Sequence, residues 1–170
     1  MSVFEHKKEA PQSVNVMVIT VSDTRDETTD RSGQAIIELL HKVGHVVEAY
    51  RIVKDEPEQI KKVLMEGCES SKVDVILTNG GTGISPRDVT IETILQLIQK
   101  ELPGYGEIFR MLSYQEDIGS AALLSRAVAG VRGNTAIFSM PGSTGAVALA
   151  MNKLILPEIA HVVREIRKGL

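Results

Sequence analysis

Three apolar runs rich in β-branched residues, each followed by a stretch of helical periodicity, limit what this chain can fold into more than any other feature. Residues 14–21, 46–53 and 73–77 read as strands. After the first, Ala35, Ile36, Leu39, Leu40 and Val43 fall on one helical face, and Gly44 supplies the stop. After the second, Asp55-Glu56-Pro57 opens a helix whose apolar stripe is Ile60, Val63, Leu64 and Cys68. After the third, Ile91, Ile94, Leu95 and Ile98 carry i, i+3, i+4, i+7 spacing. That alternation predicts an α/β fold, with a largely parallel sheet covered by helices on both faces.

Leu102-Pro103-Gly104 breaks the third helix, and helical signal resumes through Ile108, Phe109 and Leu112 before weakening near Gly119. Residues 127–131 and 135–140 read as short strands joined by Arg132-Gly133-Asn134, an antiparallel hairpin that makes the sheet edge mixed. Two helices separated at Pro157 close the chain. Residues 1–12 are polar and charged and read as a flexible arm ahead of a single domain, residues 13–170.

Composition excludes several classes. A net charge of −3 argues against a nucleic-acid binder, which needs a basic surface. No apolar run approaches the length that crosses a bilayer, and residues 1–11 lack an apolar stretch of signal type. No membrane contact and a reducing cytoplasmic location are therefore expected. The single cysteine, Cys68, has an apolar helical phase and reads as a small buried hydrophobe rather than a nucleophile. His6, His41, His45 and His161 show no metal-ligand spacing, and His41 and His45 straddle Gly44.

In open α/β sheets, ligands bind beyond the carboxyl ends of the strands. Four polar loops fall there: residues 22–30, Lys54 with Asp55, residues 78–88, and residues 141–145. The loop Thr78-Asn79-Gly80-Gly81-Thr82-Gly83 is dense in glycine, which lets backbone N–H groups approach an anion. It is neither a Walker A loop nor a GxGxxG fingerprint. Asp55 and Asp88 each have two readings, a helix N-cap or a ligand. Arg87 is a surface cation or a phosphate contact. Asp23, Asp26 and Asp30 read as solvated loop charges. Taken together, carboxylates beside a phosphate-binding loop point to Mg2+, which prefers oxygen ligands.

The run Thr78-Asn79-Gly80-Gly81-Thr82-Gly83-Ile84-Ser85-Pro86-Arg87-Asp88-Val89-Thr90 closely resembles the signature of the molybdopterin-binding family, which includes the MogA and MoaB proteins and the gephyrin G domains. Val21-Ser22-Asp23-Thr24-Arg25 with residues 30–33, Val53-Lys54-Asp55-Glu56-Pro57, and Met140-Pro141-Gly142-Ser143-Thr144-Gly145-Ala146 agree with it. The likeness runs from Val14 to the C-terminus and is strongest to the MoaB branch. It implies a three-layer α/β/α sandwich with a mostly parallel, mixed-edge sheet, in homotrimers or homohexamers. It implies transfer of AMP from ATP to the terminal phosphate of molybdopterin, ahead of a molybdate-insertion enzyme.

By motif position the resemblance makes Asp55 and Asp88 the catalytic and Mg2+-binding pair. Thr78, Asn79, Gly80, Gly81, Thr82, Gly83, Ser85, Arg87, Pro141, Gly142, Ser143 and Gly145 become the substrate- and nucleotide-binding set, with Ser22 and Asp23 as further candidates. The alternatives are a non-catalytic molybdopterin carrier or assembly protein, and a generic nucleotide-binding domain. Apolar flanks around residues 108–112 and 121–124 are the expected contacts between subunits.

Overall fold

The computed structural model describes residues 2–168. Its elements run α1 (Val3–Lys8), β1 (Asn15–Val21), α2 (Arg31–Lys42), β2 (Val46–Val53), α3 (Pro57–Glu69), β3 (Val75–Asn79), α4 (Thr90–Leu97) and β4 (Lys100–Glu101). There follow α5 (Pro103–Glu116), a 3-10 turn (Gly119–Leu124), β5 (Val128–Arg132), β6 (Thr135–Met140), α6 (Thr144–Ala150), a π-helical turn (Met151–Ile155) and α7 (Leu156–Arg167).

The sheet order is β2-β1-β3-β6-β5-β4. Strands β2, β1, β3 and β6 are parallel; β5 and β4 are antiparallel, as the hairpin predicts. After β1 the chain goes to one side for β2, then to the other for β3. The reversal opens a crevice between β1 and β3, because the loops leave in opposite directions.

The register sets where those loops start. Val21 pairs with Val53, Thr20 with Asn79, and Asn79 with Met140. The four parallel strands therefore end within one residue of each other, and Ser22, Lys54, Gly80 and Pro141 step off one edge together.

Alternating residues of the buried strands feed two cores, as period-two geometry demands. Val16, Val18, Val75, Leu77, Ala136 and Phe138 face α2, α5, α6 and α7. Met17, Ile19, Val21, Ile76 and Ile137 face α3 and α4. This is the three-layer α/β/α arrangement. Gly67 of α3 shows how close the layers lie: a Cβ there would come 2.6 Å from Ile76 Cδ1. Gly44 ends α2 with φ +86°, the left-handed stop its sequence position implied.

Several sequence expectations are corrected. The stretch read as an arm contains α1, closed by a capping box in which the Ser2 hydroxyl accepts from Glu5 N–H and the Glu5 carboxylate accepts from Ser2 N–H. Lys7 pairs with Glu158, and Glu9 with Arg164, tying this segment to α7. Pro157 does not separate two helices. Residues 144–167 run continuously, because the π turn before the proline widens the helix where the missing N–H would break the ladder. That helix is long and apolar enough to cross a membrane by length and composition, which the sequence reading did not anticipate. Val147, Ala150, Met151, Ile155, Ile159 and Val163 pack it into the core. Leu95 is 46% exposed, and Leu97 takes its place on the buried face of α4.

Candidate active site

The four loops enclose a cleft of about 360 Å³ at the carboxyl edge of the sheet. Ser22, Thr24 and Arg25 line it after β1, Asp55 after β2, residues 80–83 and Asp88 after β3, and Gly142 after β6.

Thr78 and Asn79 belong to β3 and are fully buried. Gly80 N–H continues the ladder to the Met140 carbonyl at 3.1 Å. A Cβ at Gly80 would overlap the Val21 carbonyl, so only glycine lets β3 turn out beside β1. Gly81 has φ +65°, and its missing side chain leaves room for the Thr90 hydroxyl and for Asp55 Oδ1, 2.8 Å from an added Cβ. Thr82 is buried, and its carbonyl accepts from Arg126 Nε at 3.0 Å.

Neither candidate aspartate caps a helix. The residue before α4 is Val89, with no side-chain cap. Asp88 instead closes the turn ahead of it: Ser85 donates both N–H and O–H to Asp88 Oδ2, at 2.9 and 2.6 Å. Those donors, chiefly the hydroxyl, hold its carboxyl below the ordinary range. Glu56, not Asp55, precedes α3, again without a side-chain cap. Asp55 N–H donates to Asp23 Oδ1 at 3.2 Å. Burial first, then the charges of Asp23 and Asp88, raise the Asp55 carboxyl above its ordinary value. The two carboxylates thus flank the glycine loop, one eased by hydrogen bonds and the other under like-charge repulsion.

Asp23 and Arg87 neutralise each other across the loops after β1 and β3. Arg87 Nε and Nη2 donate to the Asp23 carboxylate at 3.0–3.1 Å, and Nη1 donates to Glu56 at 2.9 Å. Ser22 Oγ accepts from the N–H groups of Thr24 and Arg25, shaping its own loop. Ser143 caps α6 by accepting from Ala146 N–H, and Gly145 lies inside α6 near Asp117. Pro141, Ser143 and Gly145 do not line the cleft; of that loop only Gly142 does.

Asp30 overturns its reading as a solvated charge. It is 1% exposed, caps α2 through Gly33 N–H, and accepts from the Thr20 and Tyr50 hydroxyls at 2.5 Å each. Asn79 Nδ2 donates to Thr20 Oγ1, so one chain of hydrogen bonds ties β3, β1 and β2 to the start of α2. Arg25, 3.4 Å from Asp30, also donates to the Gly142 carbonyl, which Ser32 Oγ reaches as well. Arg126 is a second residue that sequence reasoning missed. It pairs with Glu92 and reaches the Thr82 and Asp88 carbonyls, bracing the glycine loop from behind.

Cys68 lies outside the cleft, and burial pushes its thiol up to about 11, which suits a small apolar filler. The Oδ1 atom of Asn79 and the Thr90 hydroxyl are buried without protein partners. Some cavities elsewhere are larger, including one beside α7 of about 470 Å³. Among the described residues, the cavities beside α7, beside the β3 start and beside β2 do not gather the polar loops of the carboxyl edge.

This geometry coincides with a shared ancestry. The profile of the family described as "Probable molybdopterin binding domain" matches residues 17–161. The chain is 63% identical over 168 residues to the molybdenum cofactor biosynthesis protein B of Bacillus subtilis strain 168, with 99% of each covered. A crystal structure of a molybdenum cofactor biosynthesis protein B superposes with TM-score 0.91 at 56% identity, covering 94% of this chain and 99% of that one. The tungsten cofactor synthesizing protein MoaB of Pyrococcus furiosus aligns with TM-score 0.82 at 43% identity, covering 94% and 100%. The chain belongs to the molybdopterin-binding domain family.

Proposed function

We propose that the protein binds molybdopterin and transfers AMP to its terminal phosphate from Mg-ATP, as a step of molybdenum cofactor biosynthesis. The observation that carries this reading is that Asp55 and Asp88 flank the glycine loop while capping nothing. An oxygen of the molybdopterin phosphate attacks the α-phosphorus of ATP. The bond from that phosphorus to the β-bridging oxygen breaks, and its electron pair leaves with pyrophosphate. No protein nucleophile takes part, so the chain's work is to hold two anions in line.

The cleft residues fit a magnesium ion. The donors are hard carboxylate oxygens, and Asp55, raised first by burial and then by the charges of Asp23 and Asp88, is a carboxylate whose charge a cation would offset. Asp55 and Asp88 would hold it, and it would neutralise phosphate charge when bound. The backbone of residues 80–83 receives a phosphate, and Gly142, fixed by Arg25 and Ser32, forms the facing wall. The same reading has the protein work in the cytoplasm, where Mg-ATP is supplied, and pass its product to a molybdate-insertion enzyme.

The same reading includes a homotrimer or homohexamer. Met111 and Tyr114 of α5, Ile118 after it, and Leu123 and Leu124 of the 3-10 turn are 45–88% exposed, apolar surface of the kind subunits cover. To test the chemistry, protein is incubated with molybdopterin and ATP labelled at the α-phosphate. The label is expected on molybdopterin. Retention of unlabelled molybdopterin is the result a carrier would give.

A further inference from the structure

We propose that α1 and α7 together form a site for a divalent transition metal of the zinc class, held by His6, His161 and Glu165. No sequence spacing announces it, because the ligands come from opposite ends of the chain and meet only where α1 docks. His161 and Glu165 lie one turn apart on α7 and share a face. His6 Nδ1 is 3.3 Å from Glu165 Oε1, and His161 Nε2 is 3.9 Å from the same oxygen. The three ligand atoms lie within 4.8 Å of one another. A tetrahedral ion with bonds of about 2.0–2.1 Å spaces its ligands about 3.3 Å apart, so small rotations of the two rings complete the set.

A second feature orients one ligand. His161 Nδ1 is 2.9 Å from Glu158 Oε2, and Lys7 of α1 pairs with the other oxygen of that carboxylate. With Nδ1–H donated to Glu158, the lone pair of His161 is on Nε2, the atom that faces Glu165. Metal-bound histidines are held by a carboxylate in this way. Both histidine side chains are 18% exposed, so they are largely desolvated yet reachable. Two imidazoles and one carboxylate suit zinc and its neighbours rather than magnesium or calcium, which take oxygen. The adjoining cavity, lined by His161, Glu165, Gln99 and Leu102, gives a fourth ligand access. Glu165 also pairs with Arg164 and Lys168; Arg164 keeps Glu9 as a partner if Glu165 turns to metal. The bound ion fastens the N-terminal helix to the last helix, adding metal affinity to the stability of that junction.

The test is titration of the intact protein with Zn2+, in excess Mg2+ to occupy the carboxylate cleft. One zinc per chain is expected, lost in His6→Ala and His161→Ala and retained in His41→Ala. Glu158→Ala weakens it about 10- to 100-fold. Zinc slows amide exchange of residues 3–8 in the unmutated chain and not in His161→Ala. If His161→Ala fails to fold, His6→Ala on the short α1 decides the question. Absence of binding at micromolar zinc, or unchanged stoichiometry in His6→Ala, overturns the site.

Discussion

Asp55 and Asp88 share a cleft but have opposite electrostatics, and the difference separates their variants. Asp55 is raised by burial and by the charges of Asp23 and Asp88, so its ionised form destabilises the fold at neutral pH. With a folded value above the unfolded one, stability falls as pH rises between the two and stays lower above them. Asp55→Asn is therefore expected to melt at a higher temperature than the unmutated chain at neutral pH, with the gain shrinking in acid, while product formation is lost. Unchanged turnover in Asp55→Asn would remove this residue from the machinery. Asp88 is lowered, chiefly by the Ser85 hydroxyl, so it contributes stability above the ordinary carboxylate range, lost as pH falls through its lowered value. Asp88→Asn keeps an acceptor for Ser85, so its melting temperature should fall only slightly while turnover collapses. A side chain at Gly81 would mix strain with lost binding, since φ is positive there. Gly83→Ala is the cleaner probe: its Cβ would come 2.6 Å from Asp88 Oδ2, displacing the carboxylate. Molybdopterin-dependent turnover is expected to fall more than the melting temperature does.

Between elements, Asp30 does the joining. Its hydrogen bonds to Thr20, Tyr50 and Gly33 fix α2 against the ends of β1 and β2, and through Arg25 they reach Gly142. Asp30→Ala leaves the buried Thr20 hydroxyl and Gly33 N–H without this acceptor and is expected to cost about 3 kcal/mol in chemical denaturation. Tyr50→Phe removes one donor and should cost about 1 kcal/mol. The strands, helices α2, α3 and α4 and the glycine loop were legible because period-two and period-3.6 patterns and stop residues are local. Asp30 was not, since its acidic loop gives no sign that β2 sends Tyr50 over it. Arg126 was hidden in the same way, joining a loop far upstream. Ser2 and Glu5 carry the spacing of a capping box, a local signal of α1 within a stretch whose charge reads as an arm. Pro157 misled because a π turn relieves a clash that a regular helix cannot.

For the whole molecule, the fold follows from sheet order, and the family resemblance foretold both the layers and the loops that meet. It did not foretell that Pro141, Ser143 and Gly145 would stand back from the cleft, because a motif records neighbours in sequence and not side-chain directions. The flanks at residues 108–112 and 121–124 divide their labour: Phe109 and Ala122 are buried, while Met111, Leu123 and Leu124 face outward. A Met111→Glu, Leu123→Glu double variant places charges on that face without touching the core. Sedimentation should show a trimer or hexamer for the unmutated chain and dissociation for the variant; a monomer in both would remove the assembly from the account. The central claim is that the cleft catalyses adenylyl transfer rather than holding molybdopterin passively. Pyrophosphate release, measured with Mg-ATP in the presence and absence of molybdopterin, tests it most directly. Release that requires molybdopterin, matches it mole for mole and vanishes in Asp88→Asn is the predicted result; molybdopterin bound with no pyrophosphate formed would contradict it.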